Sequence, residues 1–382
     1  MSISSISYLA ILLLAPLLMV SKSLTLRRYA FLCLSLSVVA IANRWSYSFM
    51  YTLIWVLIPF LLKPHLKRKG ILLGFMLIGY LYLNKYTWLF PFVNPSLAPL
   101  FQIFGLSYIV FRQIDYLYAS EMEPSVVDYL NYTLSFYTLI SGPIQRYSEF
   151  IASMRCPLPD LKGSDLLKQA HRIVNGFLKI YLISALIHGY SMQVFDRING
   201  NFGFFLGFSA LNVLYIYFNF SGYCDIVIGF ARCANLSIPE NFNRPYLAQN
   251  INDFWGRQHI TLTRWITDYI FTPLVTALNR VKWLHFEQAQ VISFFITFLL
   301  AGLWHGPSVN YLVYGLLQGI GVTLSQLYLS LLRKRLRSRK AVRIYRSQPR
   351  VKSIERGVTQ LYIMVSFSFI GVDMIGKLGG LG

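Results

Sequence analysis

The chain has 382 residues, of which 55% are hydrophobic, 16% aromatic and 13% charged, and its formal net charge is +20. Average soluble domains carry charge on about a quarter of their residues, so this composition excludes a soluble globular protein and predicts a polytopic membrane protein. The basic excess is explained by cytoplasmic loops that follow the positive-inside rule and contact anionic membrane lipid. We expect no nucleic-acid partner, because no nucleic-acid-binding motif accompanies the charge.

Apolar segments begin at the N-terminus. The first covers residues 8–20, and because no lysine or arginine precedes it, we predict a retained helix and not a signal peptide. Residues 30–62 are predicted to enter the membrane and return, with the turn near Asn43 and Arg44. The basic groups that flank this region, including residues 63–69, are then expected on the cytoplasmic side.

Two more apolar segments lie in residues 70–118. The second contains Arg112 and Asp115, three residues apart on one helix face, and we predict that they form an ion pair. A further apolar helix is predicted to end at Gly142-Pro143. Residues 151–172 are polar and mixed in charge, which indicates a surface loop and an amphipathic helix.

The middle of the chain carries an acid inside an apolar stretch. Segments 173–190 and 202–220 are strongly apolar, and Asp225 follows them within another apolar run. Its partner is expected to be either Arg232, two helical turns on, or a residue of another helix. Residues 237–268 are too polar to form an ordinary spanning helix.

This polar stretch is predicted to form one helix, with Asn252-Asp253 as the N-terminal cap, through about Tyr269. Helical spacing puts Trp255 and His259 on its apolar face and Arg257 on its polar face. Such a helix lies at the membrane interface or re-enters between spanning helices. His259 then either serves a site or extends its ring to the interface without a chemical role.

Residues 289–332 carry no lysine, arginine, aspartate or glutamate, and His305 is their single histidine. Each half is long enough to span, and the glycines and proline of residues 302–307 predict a helix break between them. Because ionisable groups at membrane depth are expensive, we expect His305 to line a cavity or a reaction path. The alternative is a structural histidine with one hydrogen bond.

The basic run of residues 333–356 contains eleven lysines and arginines against Glu355 alone. The positive-inside rule predicts a cytoplasmic loop here, followed by a last apolar segment over residues 358–375. The run is either a solvated face beside lipid or a docking patch for an acidic soluble partner. The four cysteines and six histidines show no spacing typical of a disulfide framework or a metal site, so we predict no metal.

Four segments together resemble the membrane-bound O-acyltransferase family. They are ENFNRPYLAQNINDFWGRQHITLTRWITDYIFTPL, GLWHGPSVNYLVYGLLQGIG, FSGYCDIVIG and SGPIQRYSEF, so the resemblance covers most of residues 100–325. It is strongest with the bacterial branch that includes the alginate O-acetyltransferase membrane subunit and the teichoic-acid D-alanyl transfer protein. Two departures stand out, Gln258 where tryptophan is common and Cys224 where serine is common.

The resemblance implies an all-α polytopic fold, with about ten to twelve spanning or re-entrant helices in a ring around a central funnel. It implies one integral membrane domain over residues 1–382. The parts expected within that domain are peripheral helices in 1–100, an acyltransferase core in 101–325, the basic cytoplasmic loop in 333–357 and a C-terminal helix in 358–382.

The resemblance also implies that His305 is catalytic and that His259 lies near it in the funnel. A neutral imidazole can take the proton of an attacking hydroxyl, and a donor such as His259, Asn252 or the backbone of residues 302–306 can stabilise the oxyanion. The further substrate-binding residues predicted with Asn252 are Trp255, Arg257, Trp304 and Asp225.

The predicted function is acyl transfer, with acetyl favoured, in a bacterial inner membrane. An acyl thioester, either acetyl-CoA or an acyl carrier protein, donates from the cytoplasmic side, and no tightly bound cofactor is expected. The acceptor is a hydroxyl of an exported envelope polysaccharide, reached directly or through a periplasmic transferase partner. D-alanyl transfer to teichoic acid or a related polymer is the alternative. A transporter or flippase, with Arg112, Asp115, Asp225 and the histidines as a proton relay, is the second alternative, which the lack of repeated halves disfavours.

Overall fold

The computed structural model describes residues 6–19, 21, 23–43, 47–65, 69–83, 103–119, 125–155 and 162–379. These residues are mostly helical and contain no β-strand, which confirms an all-α protein. The number of ten to twelve spanning or re-entrant helices and their ring around a funnel stay predictions, as does the division into parts.

Eighteen α-helices lie in the described residues. In chain order they are α1 (Ile6–Met19), α2 (Leu24–Ala42), α3 (Tyr47–Leu62), α4 (Lys69–Leu83), α5 (Leu106–Tyr118), α6 (Val126–Thr133), α7 (Tyr147–Arg155), α8 (Gly163–Leu178), α9 (Ala185–Asp196), α10 (Phe202–Cys233), α11 (Ile251–Trp255), α12 (Ile260–Ile266), α13 (Thr272–Leu278), α14 (Phe286–His305), α15 (Val309–Leu336), α16 (Arg339–Ser347), α17 (Pro349–Phe367) and α18 (Met374–Leu378).

Five helical stretches of the described residues are long and apolar enough to cross a membrane, which confirms the polytopic class. They are Leu24–Ala42, Gly163–Asp196, Phe202–Cys233, Phe286–His305 and Val309–Leu336. The second joins α8 to α9 through a π-helical segment, Lys179–Ser184. The apolar segment expected to end at residue 220 instead continues through Asp225 to Cys233.

The chain forms two compact units, the first comprising Met1–Phe177 and Gly222–Glu240 and the second Leu178–Ser221 and Asn241–Gly382. In the first unit, the predicted pairing of Arg112 with Asp115 is wrong. Arg112 donates to the Thr133 carbonyl oxygen (2.9 Å) and to the Thr138 hydroxyl. Asp115 accepts from Arg146 (3.0 Å), so each buried ion is satisfied by α6 or by the chain after it and not by its helix neighbour.

The ion-pair partner of Asp225 lies on another helix, which confirms the second of the two predicted alternatives. Arg172 of α8 donates to Asp225 (3.0 Å) and to both carboxylate oxygens of Glu240 (2.7 Å each). Gly176 lets α8 approach this part of α10, because a Cβ there would lie 2.7 Å from the Gly222 carbonyl oxygen. The acid is therefore part of a helix-to-helix ion-pair network within the first unit.

In the second unit, α14 and α15 form a closely packed hairpin. The predicted break is confirmed, since α14 ends at His305 and α15 begins at Val309. Ser308 caps α15 by accepting from the backbone N–H of Asn310 (3.3 Å). A Cβ at Gly302 would meet the Tyr311 carbonyl oxygen, so only glycine allows this approach next to His305.

Gly302→Ala is expected to destabilise the protein by about 1–3 kcal/mol, because the added methyl group must push two helix backbones apart. Gly357→Ala is the matched control, since a Cβ at that helical glycine meets nothing within 4 Å. Thermal unfolding of both variants in detergent measures the difference. Equal melting temperatures would show that the hairpin tolerates a wider separation.

The polar stretch after residue 240 is not one helix, so the helix predicted from Asn252 to Tyr269 is wrong. Asn250 and not Asn252 is the cap, accepting from the backbone N–H of Asp253 (2.9 Å). The chain leaves the helix after Trp255 and re-enters it at Ile260.

The reason for this interruption is a backbone contact with an earlier segment. The N–H of Asn243 donates to the carbonyl oxygen of Arg257 (2.8 Å), and Phe242 forms an isolated antiparallel bridge with Gln258. These contacts take backbone groups that a continuous helix would use. The predicted apolar face shared by Trp255 and His259 therefore does not exist.

The basic run is helical instead of a loop. Its residues form the end of α15, all of α16 and the start of α17, and the last apolar helix ends at Phe367 instead of residue 375. Ser338 caps α16 by accepting from the backbone N–H of Ala341 (3.4 Å). Capping and tight turns at Arg337 and Gln348 let charged residues form helices here. The cytoplasmic location of this region stays a prediction.

Candidate active site

His305 is held among aromatic side chains at the end of α14. Its ring stacks on Tyr311, with centroids 5.6 Å apart and planes at 21°, and meets the ring of Tyr314 edge-on at 5.8 Å. Tyr314 is buried and packs against Phe367 at 5.4 Å. Three elements of the second unit thus fix the orientation of this imidazole.

His259 lies at the interruption between α11 and α12, in a left-handed backbone conformation with φ of 51°. Its carbonyl oxygen accepts a hydrogen bond from the backbone N–H of Thr263, in the first turn of α12. The ring meets Phe220 edge-on, with centroids 4.6 Å apart, and its Nδ1 lies 3.4 Å from the amide nitrogen of Asn241. Because L-residues rarely adopt positive φ, the surrounding contacts must hold this conformation.

Asn241, which was not predicted from the sequence as a functional residue, supplies those contacts. Its side chain is fully buried, and Oδ1 accepts from the backbone N–H (3.0 Å) and the hydroxyl (2.9 Å) of Thr261. Its carbonyl oxygen accepts the N–H of Ile260 (3.0 Å). The sequence offered one indication that Asn241 has a role, which is its position next to apolar Phe242 in a segment that resembles the family.

The orientation of Asn241 fixes the tautomer of His259. A backbone N–H can only donate, so the atom facing Thr261 must be the amide oxygen, and the atom facing His259 must be the NH₂ group. That group also only donates, and the imidazole Nδ1 therefore accepts. In the neutral ring the proton is then on Nε2, and His259 presents an N–H donor on its other side.

The two histidines lie within electrostatic range of each other. Burial, and after it the electrostatic interaction with neighbouring His305, lowers the pKa of His259 to about 3. His259 lies outside the five helices long enough to span a membrane. It is consequently neutral at physiological pH and acts through its N–H dipole, not through a net charge.

Trp255 ties the interrupted segment to the hairpin. Its indole N–H donates to Gln318 Oε1 (3.1 Å), and Gln318 Nε2 donates to the Ser366 hydroxyl (2.8 Å). The Trp255 ring also packs against Phe298 with centroids 5.6 Å apart. Gln318 is fully buried and was missed from the sequence, although an amide inside the charge-free run was a usable signal.

The remaining predicted residues differ in their surroundings. Asn252 Nδ2 is buried and has no hydrogen-bond partner among the described residues, so this donor is available to a ligand. Arg257 instead braces the backbone, donating to Asp253 (2.7 Å) and to the Asn243 carbonyl oxygen (3.3 Å). The Trp304 ring lies beside His305, with centroids 4.7 Å apart.

The second unit therefore contains six of the seven predicted residues, and Asp225 belongs to the first. In the described part of the chain, no group of three or more histidine, cysteine or acidic side chains could hold a metal ion. The absence of a metal and of a bound cofactor stays a prediction.

Comparison with known proteins gives a consistent assignment. The model of the membrane-bound O-acyltransferase family matches residues 2–346. The teichoic acid D-alanyltransferase of Bacillus subtilis is 31% identical, over 64% of this chain and 64% of that protein. The peptidoglycan O-acetyltransferase of Helicobacter pylori is 32% identical, over 54% of this chain and 39% of that protein.

A third relative is the probable alginate O-acetylase AlgI of Pseudomonas fluorescens, which is 29% identical over 68% of this chain and 51% of that protein. The chain thus spans less than two thirds of the length of each of these relatives. Since the family model covers most of the chain and agrees with its all-helical, membrane-spanning fold, the chain belongs to the membrane-bound O-acyltransferase family.

Proposed function

We propose that this protein is an acyltransferase that moves an acyl group from a thioester donor to a hydroxyl of a bacterial envelope polymer. The observation that carries the proposal is the placement of His305 at a helix break, oriented by aromatic rings and within electrostatic range of a neutral, N–H-donating His259. Acyl transfer needs a base for the attacking hydroxyl and a hydrogen-bond donor for the oxyanion that forms on the same carbonyl group.

His305 acts as the general base. Its neutral imidazole takes the proton of the acceptor hydroxyl while the oxygen attacks the thioester carbonyl carbon. The tetrahedral intermediate then collapses, the carbon–sulfur bond breaks, and the proton on His305 passes to the departing sulfur. The direct transfer requires no covalent enzyme intermediate and no metal, and ester and thiol are its products.

The oxyanion receives its hydrogen bonds from side chains of the interrupted segment. His259 offers Nε2–H because Asn241 occupies its Nδ1, and Asn252 offers an amide N–H without a partner among the described residues. Donors that are held in place before the reaction stabilise developing charge without reorganisation. Trp255 and Gln318 support this role by fixing the segment to the hairpin.

Acetyl is the acyl group we favour, delivered from the cytoplasmic side of a bacterial inner membrane to an exported polysaccharide. The relatives named as O-acetylating enzymes support it, those of Helicobacter pylori and Pseudomonas fluorescens among them. The donor is an acetyl-CoA or acyl-carrier thioester, and the group reaches the polymer directly or through a periplasmic transferase. D-alanyl transfer is the second candidate, supported by the Bacillus subtilis relative.

Deleting the gene from its host is expected to remove one alkali-labile ester from the purified envelope polymer. Mass spectrometry of the released groups distinguishes acetate from D-alanine, and complementation with the full chain should restore the ester. Unchanged amounts of both esters in the deletion strain would overturn the proposal. Intracellular accumulation of the polymer itself would indicate a transporter.

A further inference from the structure

A cavity of about 580 Å³ lies where the basic run folds, at the C-terminal end of α15. Its charged lining consists of Arg333 from α15, three arginines of α16, Arg339, Arg343 and Arg346, and Lys352 from α17. None of these residues contacts the histidines or belongs to the proposed reaction. Three helices of the second unit thus direct five cations into one cavity.

The acid that accompanies these cations neutralises only one of them. Glu355 accepts from Arg346 (2.9 and 3.1 Å) and from the hydroxyl of Tyr328 (2.9 Å). The side chains of the other four make no hydrogen bond or ion pair with any residue that the structure describes. Four like charges around one cavity repel one another, and a bound anion removes that repulsion. Arginine forks match phosphate oxygens in particular.

The surface next to the cavity is apolar. Leu324, Leu327 and Leu331 of α15 are 54%, 53% and 55% exposed, and their spacing puts them on one side of the helix, leading toward Arg333. Ile344 of α16 is also exposed, at 56%. A phosphate site that continues into an apolar helix face fits a molecule with an anionic head and hydrocarbon chains, because basic pockets at the ends of spanning helices bind such heads.

We propose that this cavity binds the phosphate headgroup of an anionic phospholipid, whose acyl chains lie along the exposed face of α15. A soluble phosphate ester would satisfy the charges, but only a phospholipid also has acyl chains that can lie along the leucine face next to the cavity. The inference is independent of the acyl group and of the acceptor. It requires the end of α15 to lie at a membrane surface, as the positive-inside rule predicts.

Lipid binding to the purified full chain in a neutral detergent, measured by native mass spectrometry, tests the proposal. Phosphatidylglycerol is expected to bind at least tenfold more tightly than phosphatidylcholine. Arg339→Gln/Arg343→Gln should weaken phosphatidylglycerol binding about 25-fold, if each basic residue that lines the cavity contributes about fivefold to binding of the phosphate. Lys352→Gln alone should weaken it about fivefold and provides an independent variant if the double variant does not fold.

The matched control is Lys340→Gln/Arg350→Gln, which removes the same charge from α16 and α17 outside the cavity lining. It should change the affinity less than twofold. An equal loss in the control would mean that diffuse charge and not the cavity binds the lipid, and would overturn the site. Displacement of phosphatidylglycerol by equimolar glycerol 3-phosphate would identify a soluble phosphate ester as the ligand and overturn the lipid assignment.

Discussion

His305→Gln is expected to lower the rate of acylation by about a hundred- to ten-thousand-fold while the protein still accumulates in the membrane. Glutamine is close in size to histidine and offers hydrogen bonds, but its amide cannot accept a proton at neutral pH. The rings of Tyr311 and Tyr314 that hold the imidazole remain, so the change tests proton transfer more than packing. The measurement compares ester content of the envelope polymer with the amount of membrane protein.

His171→Gln is the control, because His171 is exposed on α8 in the first unit. This variant is expected to retain wild-type activity. If His305 were only a structural residue, His305→Ala would lower the folded yield and His305→Gln would restore both yield and activity. Abundant His305→Gln protein with normal ester content would therefore show that His305 is not the base. A loss confined to activity would agree with the proposed role.

The hairpin around His305 could be predicted from the sequence because its determinants are local. A long charge-free run interrupted by glycine and proline specifies two helices and a break, and the structure places the break directly after His305. Composition also locates the five spanning stretches but not all of their bounds, since residues 163–172 were expected in a surface segment and the helix Phe202–Cys233 was expected to end at residue 220. Local patterns of this kind need no knowledge of which segments meet.

The surroundings of His259 could not be predicted because they depend on contacts between separated segments. Helical spacing alone put His259 on a continuous apolar face, whereas pairing of Asn243 with Arg257 interrupts the helix. The misassigned partner of Asp115 has the same origin, since Arg146 comes from a later segment. Periodicity describes one element at a time, and these sites are assembled from several.

Replacing Asn241 by aspartate should reverse the tautomer of His259. In the wild type the Asn241 amide donates to Nδ1, which leaves the proton on Nε2. A carboxylate can only accept, so in Asn241→Asp the imidazole must carry its proton on Nδ1, and Nε2 becomes an acceptor. The proposed oxyanion donor is lost, although both hydrogen bonds from Thr261 are kept. We expect the kcat of Asn241→Asp to fall about a hundred- to a thousand-fold, and we expect a loss of similar size for His259→Ala.

The pH dependence of the same variant separates this role from a structural one. In the wild type His259 stays neutral down to acidic pH, because its pKa is lowered to about 3. The carboxylate in Asn241→Asp favours the imidazolium and raises that pKa. As the pH falls through the raised value, the protonated ring regains an N–H at Nε2. The activity of the variant relative to wild type should therefore increase toward acidic pH.

Thr261→Val is the matched control for this experiment. It removes the hydroxyl that donates to Asn241 Oδ1 but keeps the backbone N–H, so the amide retains its orientation and activity should change little.

The measurements are kcat and KM of each variant across pH with a thioester donor. An Asn241→Asp protein that folds and keeps wild-type kcat would show that the reaction does not use an N–H at Nε2 of His259. An activity ratio that does not change with pH would assign Asn241 a purely structural role, because a misfolded segment has no reason to recover on protonation of one imidazole.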